Sequence, residues 1–223
     1  MLYQNKSDKQ FLKTEPDEMS ANDFVHEFNN LLTAIISNLS IARMDSSPES
    51  DLDNTLLEAE SAAHEAIELT KQFFLSNYTA VAGKPRKEVQ FDEQNSFSGD
   101  RRVLVVDDDK RAGVAMCKML EHLSFKVEYV GEGSAAIERY KQAKHPFDLV
   151  ILDLVIPGKE ATDTLKELRQ YDPNVKAVVC SGYLNDPIME NFQEYGFEAA
   201  ITKPYKITEL NKVLNRVLLD SSQ

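Results

Sequence analysis

Five short apolar runs, at residues 103–106, 127–130, 147–152, 175–180 and 199–202, alternate with amphipathic stretches through the second half of the chain. Runs of four to six residues, rich in valine and isoleucine and bounded by turn formers, read as strands covered on both faces. Strands that alternate with helical segments make a parallel sheet with helices on both sides. Right-handed crossovers then favour a doubly wound (βα)5 arrangement, with its site at the carboxyl ends of the strands.

The first third of the chain has a different composition. Residues 1–80 carry 5 basic and 14 acidic side chains, and no glycine precedes Gly83. Phe24, Phe28, Leu31, Ile35, Leu39 and Ala42 recur at spacings of three and four, one apolar stripe of a helix. Ser46-Ser47-Pro48 breaks that pattern, and a second stripe runs through Leu52, Leu56, Ala59, Ala63, Ala66, Thr70 and Phe73. These residues predict a helical hairpin whose apolar faces stay half wet, so pairing into a homodimeric four-helix bundle is expected. The domain boundaries are placed at 1–80 for the hairpin, 81–100 for a linker and 101–223 for the α/β domain.

A net charge of −12 over 223 residues argues against sequence-independent binding to nucleic acid or to an anionic membrane surface. No apolar run approaches the ~18 residues of a membrane span, and no basic-then-apolar leader opens the sequence. Cys117 and Cys180 lie in apolar segments and are expected to be buried thiols of a reducing compartment, which points to a cytoplasmic protein.

The residues that follow the apolar runs carry chemistry. The first run ends in Asp107-Asp108-Asp109, the third in Asp153, the fourth in Ser181-Gly182 and the fifth in Lys203-Pro204. Carboxylates gathered on one rim repel one another unless a hard cation neutralises them, and oxygen ligands suit Mg2+. Lys203 and Ser181 add a positive charge and a hydroxyl of the kind that holds phosphoryl oxygens. Asp109 reads as a helix cap rather than a ligand.

VLVVDDD, DLVILDLVIPG, VVCSGY and ITKPY resemble, in order and spacing, the signature segments of a two-component response-regulator receiver domain, over about residues 101–220. The resemblance implies a flavodoxin-like fold with Asp153 as phosphoacceptor. It implies Asp107, Asp108, Asp153 and the backbone carbonyl of Val155 as Mg2+ ligands, Ser181 and Lys203 as phosphoryl-binding residues, and a cis peptide before Pro204. Ala200 departs from the aromatic residue usual three positions before the lysine, with Tyr205 or Tyr183 as possible substitutes, and Lys159-Glu160-Ala161 replaces the usual loop ending.

On a helical wheel His26 clusters with Asn22, Asn29, Asn30, Thr33 and Ser37, opposite the apolar stripe, which predicts an exposed imidazole able to attack phosphorus. HEFNNLLTAI resembles the H-box of sensor histidine kinases. The resemblance implies His26 as the phosphorylated histidine, Glu27 as its acidic helper and Asn30 as a residue of phosphatase activity. About twenty residues separate the two parts, too few for a kinase ATP-binding domain, and no Gly-rich phosphate loop occurs.

The expected function is a phosphorelay between His26 and Asp153, supplied by a partner kinase or receiver rather than by autophosphorylation, with Mg2+ as the only cofactor. Two alternatives stand beside it: a dimeric phosphorylation-controlled binding switch with an idle His26, and a phosphatase of a partner receiver. With no segment after the receiver's last helix, a DNA-binding output is not expected.

Overall fold

The computed structural model describes residues 21–77, 100–143, 146–182 and 186–219. Two long helices, α1 (Ala21–Met44) and α2 (Asp51–Asn77), form the hairpin. The break falls at the Ser-Ser-Pro segment: Ser46 closes the turn onto the Arg43 carbonyl, and the Ser50 hydroxyl accepts from the Asp53 N–H to cap α2. Leu32 and Ile36 of α1 meet Ala63 and Ile67 of α2 in a small core, with Phe28 and Ala66 packed against it. Arg43 pairs with Asp53 and with Glu60, which also accepts from the Ser40 hydroxyl.

The α/β domain has five parallel strands, β1 (Arg102–Val106), β2 (Lys126–Val130), β3 (Leu149–Asp153), β4 (Ala177–Ser181) and β5 (Ala199–Thr202), in the order β2-β1-β3-β4-β5. Between and after them lie α3 (Lys110–His122), α4 (Gly133–Gln142), α5 (Ala161–Tyr171), α6 (Pro187–Glu190) and α7 (Ile207–Leu219). The order reverses between β1 and β3, the switch point at which such sheets bind ligands. All five expected strands are present, although β3 and β4 start two residues later and end one residue later than the apolar runs. Strand alternation divides the core. Val103, Val105, Ile151, Val178, Cys180 and Ile201 face α3 and α7, while Leu104, Val106, Val150, Leu152, Val179 and Ala200 face α4, α5 and α6.

Two expectations are corrected here. The fourth crossover helix, α6, is a single turn of 4 residues, held by Pro187 at its start and by the Asp186 side chain accepting from the Ile188 N–H. The polar face of α1, expected to be exposed, is buried. Phe24 and Ile35 of the apolar stripe are 50% and 49% exposed, whereas Asn29, Asn30, Thr33 and Ser37 are buried. The physical reason is a partner the sequence does not display: α1 packs along α3, and Ile41 reaches the core between the sheet, α3 and α7. The buried hydroxyls remain satisfied because Thr33 donates to the Asn29 carbonyl and Ser37 to the Thr33 carbonyl. The side chains of Asn22 and Phe73, and residues 81–99 of the linker, lie outside the described residues, as do Tyr183 and His145. Cys180 is buried as expected, but Cys117 is only half-buried.

Leu152, fully buried in the middle strand, loses about 3 kcal/mol of unfolding free energy as Leu152→Ala. Ile35→Ala, half-exposed on α1, stays within about 0.5 kcal/mol of the parent at low protein concentration. Urea denaturation followed by circular dichroism checks both.

Candidate functional site

Parallel pairing sets Val106 beside Leu152, so Asp107 and Asp153 leave adjacent strand ends side by side. Ser181 ends β4 one residue beyond the register partner of Asp153, and Thr202 ends β5 beside Ser181, which delivers Lys203 to the same rim. The Lys203 backbone N–H donates to the Ser181 carbonyl at 2.7 Å, and the Lys203-Pro204 peptide is cis. Lys203 Nζ lies 2.7 Å from Asp107 Oδ2 and 2.6 Å from Asp153 Oδ2, with all three residues buried. Burial disfavours the ammonium, but Asp153 and Asp107 together outweigh it and raise the Lys203 pKa.

The acid group needs more positive charge than Lys203 supplies. Oxygens of Asp107, Asp108 and Asp153 come within 4.8 Å of one another. Burial, against the pull of Lys203 and with the repulsion of Asp153, pushes the Asp107 carboxyl up to about 7. Asp108, exposed at the mouth of the site, is raised by burial and then by Asp153. Three oxygen donors under mutual repulsion, one open to solvent, fit a hard divalent cation. Asp109 is the cap of α3, accepting from the Arg111 and Ala112 N–H groups. Val155 lies past the end of β3, 43% exposed, with its N–H 3.4 Å from Asp153 Oδ1.

The hairpin closes this site from above. His26 Nε2 lies 4.0 Å from Asp153 Oδ2, and its side chain is 12% exposed. Asn30 Oδ1 accepts from Lys203 Nζ at 3.2 Å, and Asn30 Nδ2 stands 3.5 Å from His26 Nδ1. Glu27 pairs with Arg111 at 2.5 Å, and Arg111 also holds Asp109. The imidazole expected to be exposed is therefore covered by the domain that carries Asp153.

Four contributors have roles that the sequence did not assign. Tyr129 donates its hydroxyl to the Asp107 carbonyl at 2.7 Å, and its ring passes so close to Gly113 that a Cβ there would meet the ring edge. Arg111 and Asn29 dock the two domains, and Gly182 accepts from Asn29. Asn29 gave a signal as an amide on the polar face of an amphipathic helix, and Gly182 as the residue after Ser181 at a strand end. Of the possible switch residues, Ala200 is buried towards α4, α5 and α6, while Tyr205 is buried on the opposite side of the sheet.

Lys203→Met leaves two buried carboxylates facing each other and costs about 3 kcal/mol of stability. Loss of the ammonium moves the Asp107 carboxyl further above about 7. The folded variant then holds its proton to higher pH than the parent, so the deficit widens as pH rises through 7. Urea denaturation at pH 6 and pH 8.5, without divalent cations, measures the widening.

The α/β domain matches the family model described as the response regulator receiver domain over residues 103–215. The chain is 32% identical over 122 residues to the chemotaxis protein CheY of Thermotoga maritima, covering 52% of this chain and 97% of that protein. It is 26% identical over 135 residues to the sensor kinase CckA of Brucella abortus, covering 59% of this chain but only 14% of the kinase. Against ethylene receptor 2 of Oryza sativa subsp. japonica the identity is 29% over 157 residues, 69% of this chain and 20% of the receptor. A response regulator receiver domain protein from Clostridium thermocellum superposes with a TM-score of 0.51 at 18% identity, over 54% of this chain and 96% of that one, a likeness of fold. Receivers serve two-component phosphorelay signalling through an aspartyl phosphate and work with partner kinases or phosphotransfer proteins. With half of its length under that model and the acidic rim and lysine at the strand ends, this chain belongs to the response regulator receiver family.

Proposed function

We propose that the chain is a phosphorelay protein in which a phosphoryl group moves between His26 and Asp153 of the same molecule. The observation that carries this reading is the 4.0 Å approach of His26 Nε2 to Asp153 Oδ2 above the buried lysine. An oxygen-to-phosphorus approach of about 3–3.5 Å plus one N–P bond asks the hairpin to recede by roughly 1 Å. In transfer from His26, the bond from Nε2 to phosphorus breaks as one from an Asp153 oxygen forms, and the imidazole takes back its electron pair. Lys203 and Ser181 hold the phosphoryl oxygens in line, and Glu27, the residue next to His26, orients the imidazole.

Asp107, Asp108, Asp153 and the Val155 carbonyl would hold Mg2+, which when bound neutralises charge on the transferring oxygens. Phosphoryl groups enter from a partner histidine kinase, receiver or phosphotransfer protein in the cytoplasm. The exposed Phe24, Ile35, Leu52 and Leu69 on the hairpin are covered by a second copy in a four-helix dimer.

Asn30 favours a second reading, hydrolysis of the Asp153 phosphate, because it reaches Lys203 at the floor of the pocket and has an amide to orient water. The chain incubated with ATP and Mg2+ alone acquires no phosphohistidine. A small phosphodonor labels Asp153, and mass spectrometry then finds part of the label on His26. His26→Gln confines the label to Asp153. If hydrolysis is the function instead, His26 never carries label and Asn30→Ala slows phosphate release about tenfold. Phe24→Ser combined with Ile35→Asn converts the dimer to monomer in analytical ultracentrifugation; an unchanged sedimentation coefficient removes the dimer from the proposal.

A further inference from the structure

Tyr129 lies on β2 at the edge of the sheet, opposite Val105 in the register, and its ring packs on the side covered by α3. The ladder between β1 and β2 ends at Val106 and Val130, and just beyond it the Asp107 N–H donates to the Val130 carbonyl at 3.2 Å. The Asp107 carbonyl is taken by the Tyr129 hydroxyl at 2.7 Å. Two adjacent residues of β2 thus hold both peptide groups of Asp107, one through a backbone carbonyl and the other through a side chain.

A peptide group is planar, so fixing the Asp107 carbonyl also fixes the direction in which the chain leaves towards the Asp108 Cα. Asp107 and Asp108 supply two of the three carboxylates whose oxygens gather within 4.8 Å. The Asp107 carboxylate is itself held by Lys203 at 2.7 Å and by the Asp109 N–H at 3.0 Å. Asp108 is exposed at the mouth of the site, so its aim depends on the backbone that leads to it.

Gly113 shows what the tyrosine requires of α3. It is buried within that helix, where glycine is less favourable than alanine. Conformation does not demand it, since the left-handed glycines among the described residues are Gly158 and Gly196. Space does: a Cβ at 113 would run into Tyr129 Cε2 and stand 3.0 Å from Cδ2 and 3.1 Å from Cζ.

We propose that Tyr129 is a positioning residue of the cation site. Its hydroxyl, given room by Gly113, sets the Asp107–Asp108 peptide so that both carboxylates serve one divalent ion. Tyr129 acts through that peptide and not on the ion. The inference rests on the reading of Asp107, Asp108 and Asp153 as Mg2+ ligands.

Mn2+ binding to the full chain, followed by the electron paramagnetic resonance signal of the free ion, reads the site without any phosphorylation. Tyr129→Phe keeps the ring and removes the hydroxyl alone, and its Mn2+ affinity falls about fivefold, the worth of one hydrogen bond. Gly113→Ala pushes the ring aside and lowers the affinity by a similar factor, although alanine favours the helix. The double variant stays within about twofold of either single one, because both changes break the same bond. Tyr140→Phe removes a hydroxyl bond of similar length, 2.8 Å to Asp172 at the opposite rim of the sheet, and leaves Mn2+ affinity as in the parent. Parental affinity in Tyr129→Phe, or an equal loss in Tyr140→Phe, overturns the positioning role. Parental affinity in Gly113→Ala, or a double variant whose losses multiply, overturns the part assigned to Gly113. A parent chain that binds no Mn2+ removes the cation site itself, and the inference with it.

Discussion

The buried ammonium of Lys203 between the carboxylates of Asp107 and Asp153 is the interaction on which the rest of the site depends. Three strand ends converge on it. The switch in strand order sets Asp107 beside Asp153, and β5 brings the lysine to the same rim. Burial makes the lysine necessary, because two adjacent carboxylates without it carry a heavy desolvation and repulsion penalty. Even with the lysine in place, burial and the repulsion of Asp153 push the Asp107 carboxyl up to about 7. A centre with that balance suits a divalent cation.

The same ammonium extends the site into the hairpin, because Asn30 accepts from it. The hairpin is thereby tied to the receiver through the residue that organises the receiver's own chemistry. The docking surface is polar at its centre, with Asn29, Asn30 and Glu27 opposite Gly182, Lys203 and Arg111, and becomes apolar along α1 towards Ile41. Such an interface seats α1 in one register through directional bonds and excludes water through the apolar end.

Much of the receiver was legible in the chain. β-branched runs cannot avoid becoming strands when they alternate with amphipathic helices, and the carboxylates and lysine at their ends fall on one rim by topology alone. Asp109 was correctly read as a cap, because an aspartate directly before a helix satisfies its free N–H groups. The shortening of α6 was not legible, since the residues after Pro187 have a composition that fits helix and turn alike. Tyr129 was missed because its role comes from packing over a glycine on a different element.

The largest change concerns the first helix. Its amphipathic pattern determined that α1 is a helix with one apolar and one polar side, and His26 marked the polar side. Periodicity reports contrast between faces but not which face meets a partner, and a surface rich in asparagine and hydroxyls looks like a solvated one. Only the tertiary structure decided that this polar face is buried against the receiver. Its complement is assembled from Gly182, Lys203 and Arg111, residues 153, 173 and 84 positions away from the α1 residues they meet.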